Sequence, residues 1–503
     1  RDNSQLSELP EQTMSFARWT QIFYAGSCRE VSSGQSFEVF NPANGEVYSR
    51  VADASKEDAQ LAVAAAYDAS NAWADLSHTR RAGYLLKAAD IMEERQQEFV
   101  DSLVREGGSW VGKAIFESGY SVEALRAAAA MVFHMNGEVL PSEHGKLSMA
   151  VRQPLGVVSV ISPWNFPLLL SVRGFAVAMA IGNTIVLKPS EETPLSGGLL
   201  LAEVFEAAGL PAGVFNVVTC SRGSVERVGD ELISNPAVRG ISFTGSTAVG
   251  RQISAQAGSL LKKACLELGG KDALIILDDA DMERAVNAAT FGSFMHQGQI
   301  CMSVERIIVH EAIAEQFIER FVANVKTLET GDPSSPAKVI GPLINQRQLQ
   351  KIHAQVTDAV ESGAELWTGG NYAGLFYEPT VLVVVRPDMK IFREETFGPV
   401  AAVVVVADLD EAIAVANDSE YGLSAGIITR DEERGMQMAR RLETGMAHIN
   451  DSSVNDEAHV PFGGVKNSGV GRQNGKASVE AFSELRWITL DRGGRQYPPP
   501  FNE

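Results

Sequence analysis

Two side chains in this sequence are well suited to covalent chemistry: a glutamate and, 34 positions later, a cysteine. Glu267 stands in LELGGKD, where apolar neighbours would raise a carboxyl pKa and suit it to act as a general base. A lone cysteine in apolar company is more often an inert core residue, which is our interpretation of Cys28, Cys220 and Cys265. Cys301 differs, because the QGQ before it interrupts the apolar pattern and supplies flexible backbone for a reactive turn.

Polar side chains also follow two predicted strands, at the positions where ligands bind in open α/β sheets. VVSVISPWNFP presents Trp164 and Asn165, although a proline-rich turn with a capping asparagine is an alternative. IVLKPSEETP presents Lys188 and Glu191, which can hydrogen-bond the hydroxyls of a ribose or can simply be solvated helix-cap residues.

Two glycine-containing stretches are candidates for phosphate binding. In ISFTGSTAVGRQI a strand is followed by Gly245, Ser246 and Gly250 and then by a helix, whose first amides could bind a phosphate. The spacing is not G-x-G-x-x-G, so a tight strand-to-helix turn is equally compatible. EAHVPFGGVKNSGVGR, residues 457–472, has neither a preceding strand nor a following helical period, so it is weak evidence for a nucleotide loop.

Size and charge limit the classes of function. The chain has 503 residues, 45% of them hydrophobic and 21% charged, which predicts several globular domains. Lysine and arginine number 43 against 63 acids, a net charge of −20 that disfavours nucleic acid and anionic membranes as partners. The start RDNSQLSELPEQ lacks a secretory pattern, no apolar run is long enough to span a bilayer, and four scattered cysteines suggest no disulfide framework. We therefore expect a cytoplasmic protein.

The elements that must position these residues follow from hydrophobic periodicity. A helical pattern runs from about Lys56 to Gly107. After Pro154, short β-branched runs (GVVSVIS, GNTIVLKPS, VFNVVT, RGISFTGS and ALIILDD) alternate with helices, as in a buried parallel sheet. A second such series begins near Lys271 and includes RIIVH, the helix 311–327 and GPVAAVVVV. GKLSMAVRQP and EAFSELRWITL are predicted to be isolated strands of a dimerisation arm.

Seven motifs occur together in one order: PWNFP, KPSEETP, FTGSTAVG, ELGGKD, GQICM, EETFGP and PFGGVKNSGVGR. With these motifs in this order, the chain resembles the aldehyde dehydrogenase superfamily from about Phe37 to Leu490. The resemblance implies an α/β fold with two open Rossmann-like domains and a small β oligomerisation arm. It implies an NAD-binding domain at 15–137 and 156–268, a catalytic domain at 269–474 and an oligomerisation element at 138–155 and 475–503. A homodimer or homotetramer is expected.

The resemblance also implies roles for individual residues, with no metal site. Cys301 resembles the nucleophile, Glu267 the general base, and Asn165 together with the backbone N–H of Cys301 the oxyanion hole. Matching positions for the cofactor are Ile161, Pro163, Trp164, Lys188, Ser190, Glu191, Gly245, Ser246, Val249, Leu268, Glu395 and Phe397. Matching positions for the aldehyde tunnel are Phe166, Leu169, Arg173, Met295, Ile300, Met302 and Phe462. The glycines beside Phe462 would then shape that tunnel, and DSSVNDEAH would form its mouth.

The implied reaction is oxidation of an aldehyde to its acid through a cysteine thiohemiacetal and a thioester. The cationic nicotinamide ring and helix-end amides are expected to increase the thiolate fraction of Cys301. Glu191 would repel a 2′-phosphate, which favours NAD, although Lys188 leaves NADP possible.

Two departures from the family pattern bear on the substrate. Many family members have lysine where this chain has Arg173, and the arginine resembles the branch that oxidises benzaldehyde, vanillin and salicylaldehyde. Arg173 would contact a ring substituent or else satisfy backbone carbonyls. EGGSWVGKA departs from the common pattern without a physical account at this stage.

Three other classes of function stay open. The first is a CoA-acylating semialdehyde dehydrogenase, which generally lacks the base that Glu267 provides. The second is a catalytically retired family member with a binding role. The third is a cysteine hydrolase that uses His296, five residues before Cys301.

Overall fold

The computed structural model describes residues 19–501, in which helices and short strands alternate along most of the chain. The strands are β1 (Gln21–Tyr24), β2 (Ser27–Glu30), β3 (Ser36–Phe40), β4 (Val47–Ala52), β5 (Glu138–Leu140), β6 (Leu147–Pro154), β7 (Val157–Ile161), β8 (Thr184–Lys188), β9 (Phe215–Val217), β10 (Val238–Thr244), β11 (Lys263–Glu267), β12 (Asp272–Ile276), β13 (Val304–His310), β14 (Glu365–Thr368), β15 (Tyr372–Ala373), β16 (Phe376–Tyr377), β17 (Thr380–Val383), β18 (Val400–Val406), β19 (Tyr421–Gly422), β20 (Ala425–Ile428), β21 (His448–Ile449), β22 (Val465–Lys466), β23 (Gly469–Val470) and β24 (Ser483–Leu490). The helices are α1 (Lys56–Ala74), α2 (His78–Glu94), α3 (Gln96–Gly107), α4 (Val111–Ala130), α5 (Pro167–Ala180), α6 (Leu200–Ala207), α7 (Val225–Ser234), α8 (Thr247–Ser259), α9 (Met282–Phe294), α10 (Glu311–Val325), α11 (Gln346–Glu361), α12 (Lys390–Arg393), α13 (Leu409–Asn417), α14 (Glu432–Ala439) and α15 (Gly475–Ala481).

The first open sheet has the strand order β2-β1-β9-β8-β7-β10-β11-β23. Its five central strands are parallel, and antiparallel strands close both edges. β8 is buried along its whole length, as expected for a strand covered by helices on both faces. The predicted parallel strands are confirmed, but β11, which carries Glu267, was not predicted, because KACLE has charged ends and few β-branched residues.

The second open sheet has the order β14-β17-β18-β13-β12-β20-β21, again mainly parallel, with antiparallel β14 at one edge. ALIILDD forms β12 in this sheet, next to β13 and β20. The predicted stripe of α10 is largely correct, because Phe317, Phe321 and Val325 are buried and Ile313 is partly buried.

The two isolated strands pair with each other. β24 is antiparallel to β6, which also pairs with β5, in a three-stranded sheet separate from the two open sheets. Trp487 on β24 is 71% exposed. The separation of these strands is confirmed, whereas their role in assembly and the division into domains stay predictions.

The predicted helical region 56–107 forms α1, α2 and α3. Cys220 and Cys265 are buried as predicted, but the interpretation of Cys28 as a core residue is wrong, since it lies exposed on β2. Among the residues described, no helix combines the length and apolar character needed to cross a bilayer. The N-terminal stretch RDNSQLSELPEQ lies outside the described residues.

Candidate active site

One cavity of about 580 Å³, within the range of small-molecule sites, lies where the ends of the first sheet's strands face the second sheet's loops. The three predicted catalytic residues all line it, and so do the twelve predicted cofactor residues. The cavity therefore joins side chains at the ends of four strands, β7, β8, β10 and β11, with side chains from the 395–397 loop. In the first sheet this is the edge at which open α/β sheets bind ligands.

The residues at one end of the cavity fit a dinucleotide. Ser246 precedes α8 without a side-chain cap, so the first amides of that helix stay available for a phosphate. Lys188 is buried, and Glu191 places a carboxylate beside it on the cavity wall. Arg222, which was not predicted, lines the same wall with its guanidinium 3.8 Å from the Glu191 carboxylate. This end thus offers phosphate donors, ribose acceptors and a second cation.

At the other end a loop of the second sheet approaches the first. Glu395 accepts a hydrogen bond of 3.0 Å from the backbone N–H of Gly270, and burial, reinforced by the charge of Glu305, raises its pKa to about 7. The Phe397 N–H donates to Glu305 at 2.8 Å. The Phe397 ring meets Trp164 edge-on at 5.4 Å between centroids, so the two loops touch across the cavity.

Cys301 lies on a tight turn between α9 and β13. His296 and Gln297 have left-handed backbone conformations, with φ of 50° and 56°, and the predicted irregular turn is present. A methyl group on Gly270 would stand 2.5 Å from the Cys301 carbonyl oxygen, so only glycine permits this close approach. Burial raises the pKa of the thiol, although Arg173 opposes that shift. The expected increase in thiolate depends on the bound nicotinamide, and it stays a prediction.

Asn165 is 4% exposed, and its side-chain amide points to the turn before Cys301. The Nδ2 group donates one hydrogen to the Gln299 carbonyl at 2.9 Å. An amide nitrogen has two hydrogens, so one is left for a second acceptor. This geometry suits an oxyanion-hole donor.

Glu267 ends β11 at the cavity wall. Neither of its carboxylate oxygens has a hydrogen-bond partner among the described residues. Burial raises its pKa well above the usual range, and Arg173 and Arg472 oppose this shift. Gly463 packs against it so closely that an added methyl group would lie 2.5 Å from Oε1. A buried carboxyl with a raised pKa is suited to proton transfer.

Next to Cys301 lies an apolar cluster, which contains six of the seven predicted tunnel residues. Its buried members are Phe166, Leu169, Leu170, Ile300, Met302, Leu423 and Phe462, and Met295 and Cys301 pack against them.

The seventh predicted tunnel residue, Arg173, has a partner that neither sequence interpretation named. It forms a buried ion pair with Asp456 and lies over the Phe462 ring at 4.1 Å. Its guanidinium is thus engaged by the protein rather than presented freely to a ring substituent.

His296 does not form a catalytic dyad in this structure. Its ring packs edge-on against Phe166 at 5.5 Å, and within the described chain no hydrogen bond joins it to Cys301. Burial and the charge of Lys113 hold its pKa well below the usual range.

Four residues near the site were missed by sequence reasoning: Lys113, Arg222, Gln299 and Asp456. Lys113 lies in EGGSWVGKA and donates to the Asn165 carbonyl at 2.8 Å, so that unusual segment contacts the predicted oxyanion loop. The sequence signal was a lysine and a glutamate four positions apart, Lys113 and Glu117, which a helix places on one face.

The chain is similar to known proteins over nearly all of its residues. The sequence model of the aldehyde dehydrogenase family matches residues 29–488. A vanillin dehydrogenase of an Amycolatopsis species is 47% identical over 483 residues, which cover 96% of this chain and 98% of that protein. A benzaldehyde dehydrogenase (NAD+) of Pseudomonas putida is 44% identical, covering 95% of this chain and 98% of that protein. The solved structure of a salicylaldehyde dehydrogenase from Pseudomonas putida G7, complexed with salicylaldehyde, has a TM-score of 0.93 at 41% identity, covering 95% and 99% of the two chains.

Proposed function

The chain belongs to the aldehyde dehydrogenase family and is an NAD(P)-dependent enzyme, and we propose that it oxidises an aromatic aldehyde to the carboxylic acid. The observation that carries this proposal is the apolar cluster that packs directly against Cys301 and contains Phe166 and Phe462. Aromatic rings and thioether side chains in such a cluster favour a flat apolar substrate. Relatives named for vanillin, benzaldehyde and salicylaldehyde support the same substrate class.

The reaction begins at the Cys301 sulfur. An aldehyde hydrogen cannot leave as hydride until the carbonyl oxygen becomes anionic, so the Cys301 thiolate adds first and forms a thiohemiacetal. Because burial raises the pKa of this thiol, its proton must pass to solvent before the attack, and the positive charge of Arg173 favours the thiolate that is left. Asn165 donates its remaining amide hydrogen to the new oxyanion, together with the Cys301 N–H.

When bound, the nicotinamide cofactor supplies the two-electron acceptor for the hydride, and a thioester is left on Cys301. Glu267 then removes a proton from water, whose oxygen attacks the thioester carbon. The carbon–sulfur bond breaks, the thiolate is restored and the carboxylic acid is released. The raised pKa of Glu267 makes its carboxylate a stronger base once it is ionised.

Cofactor preference depends on the Glu191 end of the cavity. An ionised Glu191 repels a 2′-phosphate, which favours NAD. Arg222, 3.8 Å from that carboxylate, weakens the repulsion and leaves NADP as a slower alternative.

We also propose that the three-stranded sheet joins copies of the chain into a homodimer or homotetramer. β24 is an edge strand with exposed apolar residues, which favours pairing with another chain. The NAD-binding, catalytic and oligomerisation regions would then follow the expected boundaries.

The test is a screen of aromatic, aliphatic and amino aldehydes with NAD and with NADP, followed by NADH absorbance and by identification of the product. The expected result is the highest kcat/KM with aromatic aldehydes and a free carboxylate as product. Higher efficiency with short aliphatic aldehydes, or an acyl-CoA product that requires added CoA, would contradict the proposal. Cys301→Ala serves as the inactive control.

A further inference from the structure

A buried lysine and glutamate on α4 contact the loop that carries Asn165 from two sides. We propose that Lys113, balanced by Glu117, is a positioning residue that fixes the Asn165 amide for oxyanion binding, an inference that rests on the function proposed above. Neither side chain lines the cavity, so both would act through Asn165 rather than on the substrate.

Lys113 is fully buried, and its ammonium group uses its three donors on the protein. It donates to the Asn165 carbonyl at 2.8 Å and to Ser109 Oγ at 3.0 Å, and it contacts the Glu117 carboxylate. The same ammonium lies 4.0 Å from the centroid of the Phe166 ring. It therefore holds the backbone of the oxyanion residue and the side chain of the next residue together.

Glu117 holds the other side of the same loop. Its Oε1 accepts hydrogen bonds from the N–H groups of Leu168 and Leu169, at 3.0 and 3.2 Å. These amides belong to the first turn of α5, where the N–H groups have no acceptor within the helix. A negative charge at this end of a helix is favourable. Because α5 begins at Pro167, the pair on α4 fixes the chain immediately before and after that start.

Stability alone gives little reason for a buried ion pair here. Taking two charges out of water costs about as much as their attraction returns, and apolar residues of similar size often serve the fold as well. The pair does, however, define the orientation of one peptide. Without Lys113, the Asn165 carbonyl would lose this hydrogen-bond donor, and the peptide that follows Asn165 could rotate. The Asn165 side chain would then be held only by its bond to Gln299, and its second Nδ2 hydrogen would no longer have a fixed direction.

The experiment is a double-mutant cycle in the full-length protein. Lys113→Met combined with Glu117→Gln removes both charges without leaving one uncompensated. We expect kcat to fall about tenfold to a hundredfold, less than the ~10²–10³ loss for an oxyanion donor removed outright. The KM for NAD should change less than kcat, because the hydrogen bonds of Lys113 and Glu117 to this loop go to Asn165, Leu168 and Leu169 and not to the cofactor positions Pro163 and Trp164. In an Asn165→Ala background the same pair of changes should have no further effect on kcat.

An equal loss of kcat with Asn165 intact and with Asn165→Ala would overturn the proposal, because it would indicate a general structural defect. An unchanged kcat of the paired variant with Asn165 intact would also overturn it. If the paired variant does not fold, the kcat of Lys113→Arg is measured instead, with Asn165 intact and with Asn165→Ala. Its planar head cannot reproduce the three contacts, so a smaller loss is expected that also disappears with Asn165→Ala. Arg95→Met, which breaks a partly buried ion pair with Glu203 away from the cavity, controls for lost stability.

The proposed function can fail separately. Substantial dehydrogenase activity in Cys301→Ala would refute the nucleophile, whatever the cycle shows. An inactive Cys301→Ala together with effects of Lys113 that persist without Asn165 would refute only the positioning role.

Discussion

Gly463→Ala should slow hydrolysis of the thioester without slowing hydride transfer. Gly463 has a φ of 153°, and a methyl group on it would stand 2.5 Å from Glu267 Oε1, whereas ordinary contact begins near 3.4 Å. The carboxylate would therefore have to move by about 0.9 Å, and a displacement of about 1 Å in a catalytic group can cost roughly a hundredfold in rate. The predicted loss falls on hydrolysis of the thioester, the step for which we propose Glu267 as the base, and spares hydride transfer.

Rapid-mixing measurements of NADH absorbance test this. Gly463→Ala should give a burst close to one NADH per active site, followed by a steady rate about a hundredfold below that of the unmodified enzyme. Glu267→Gln should give the same pattern, since a general base contributes about 10²–10⁴ in rate. Gly258→Ala, where no atom lies within 4 Å of the added methyl group, is the matched control. A steady rate within twofold of the unmodified enzyme, or a burst slowed as much as the steady rate, would refute the reasoning.

Three further predictions concern the cofactor and assembly. The carboxyl of Glu395, with a pKa of about 7, is ionised as pH rises, so the Kd for NAD should fall about tenfold from pH 6 to pH 8. Titration of NAD binding by fluorescence checks this, and a Glu395→Gln variant that keeps the pH dependence would contradict it. Arg222→Ala should increase the ratio of kcat/KM for NAD over NADP about three- to tenfold, and an unchanged ratio would count against its role beside Glu191. Trp487→Asp, on the exposed edge strand, should lower the mass measured by light scattering, whereas an unchanged mass would place the interface elsewhere.

The parts of the fold that sequence could predict are those encoded locally. β8 and β18 contain apolar runs that are buried on both faces apart from Val405 of β18, so a short window of sequence is enough to predict them. β23 consists of two residues, Gly469 and Val470, and exists only because the edge of β11 accepts it. No local pattern distinguishes such a strand from a loop.

The same reasoning applies to the site. Asn165, Lys188 and Glu267 each follow or end a strand, so the topology of a parallel sheet is enough to bring them to one edge. The partner of Arg173 is 283 positions away, and the contact of Lys113 with the Asn165 loop joins residues 52 positions apart. Contacts of this kind depend on tertiary packing and leave no periodicity in the sequence.

The pairing of β23 with β11 has a consequence for synthesis of the protein. Residues 266 and 267 lie on a strand whose outer edge is covered only by residues 469–470. A chain still being translated therefore presents an open sheet edge beside the Glu267 carboxylate until residues 469–470 have been made. Translation products that stop short of these two residues would therefore leave that edge open for pairing with another chain.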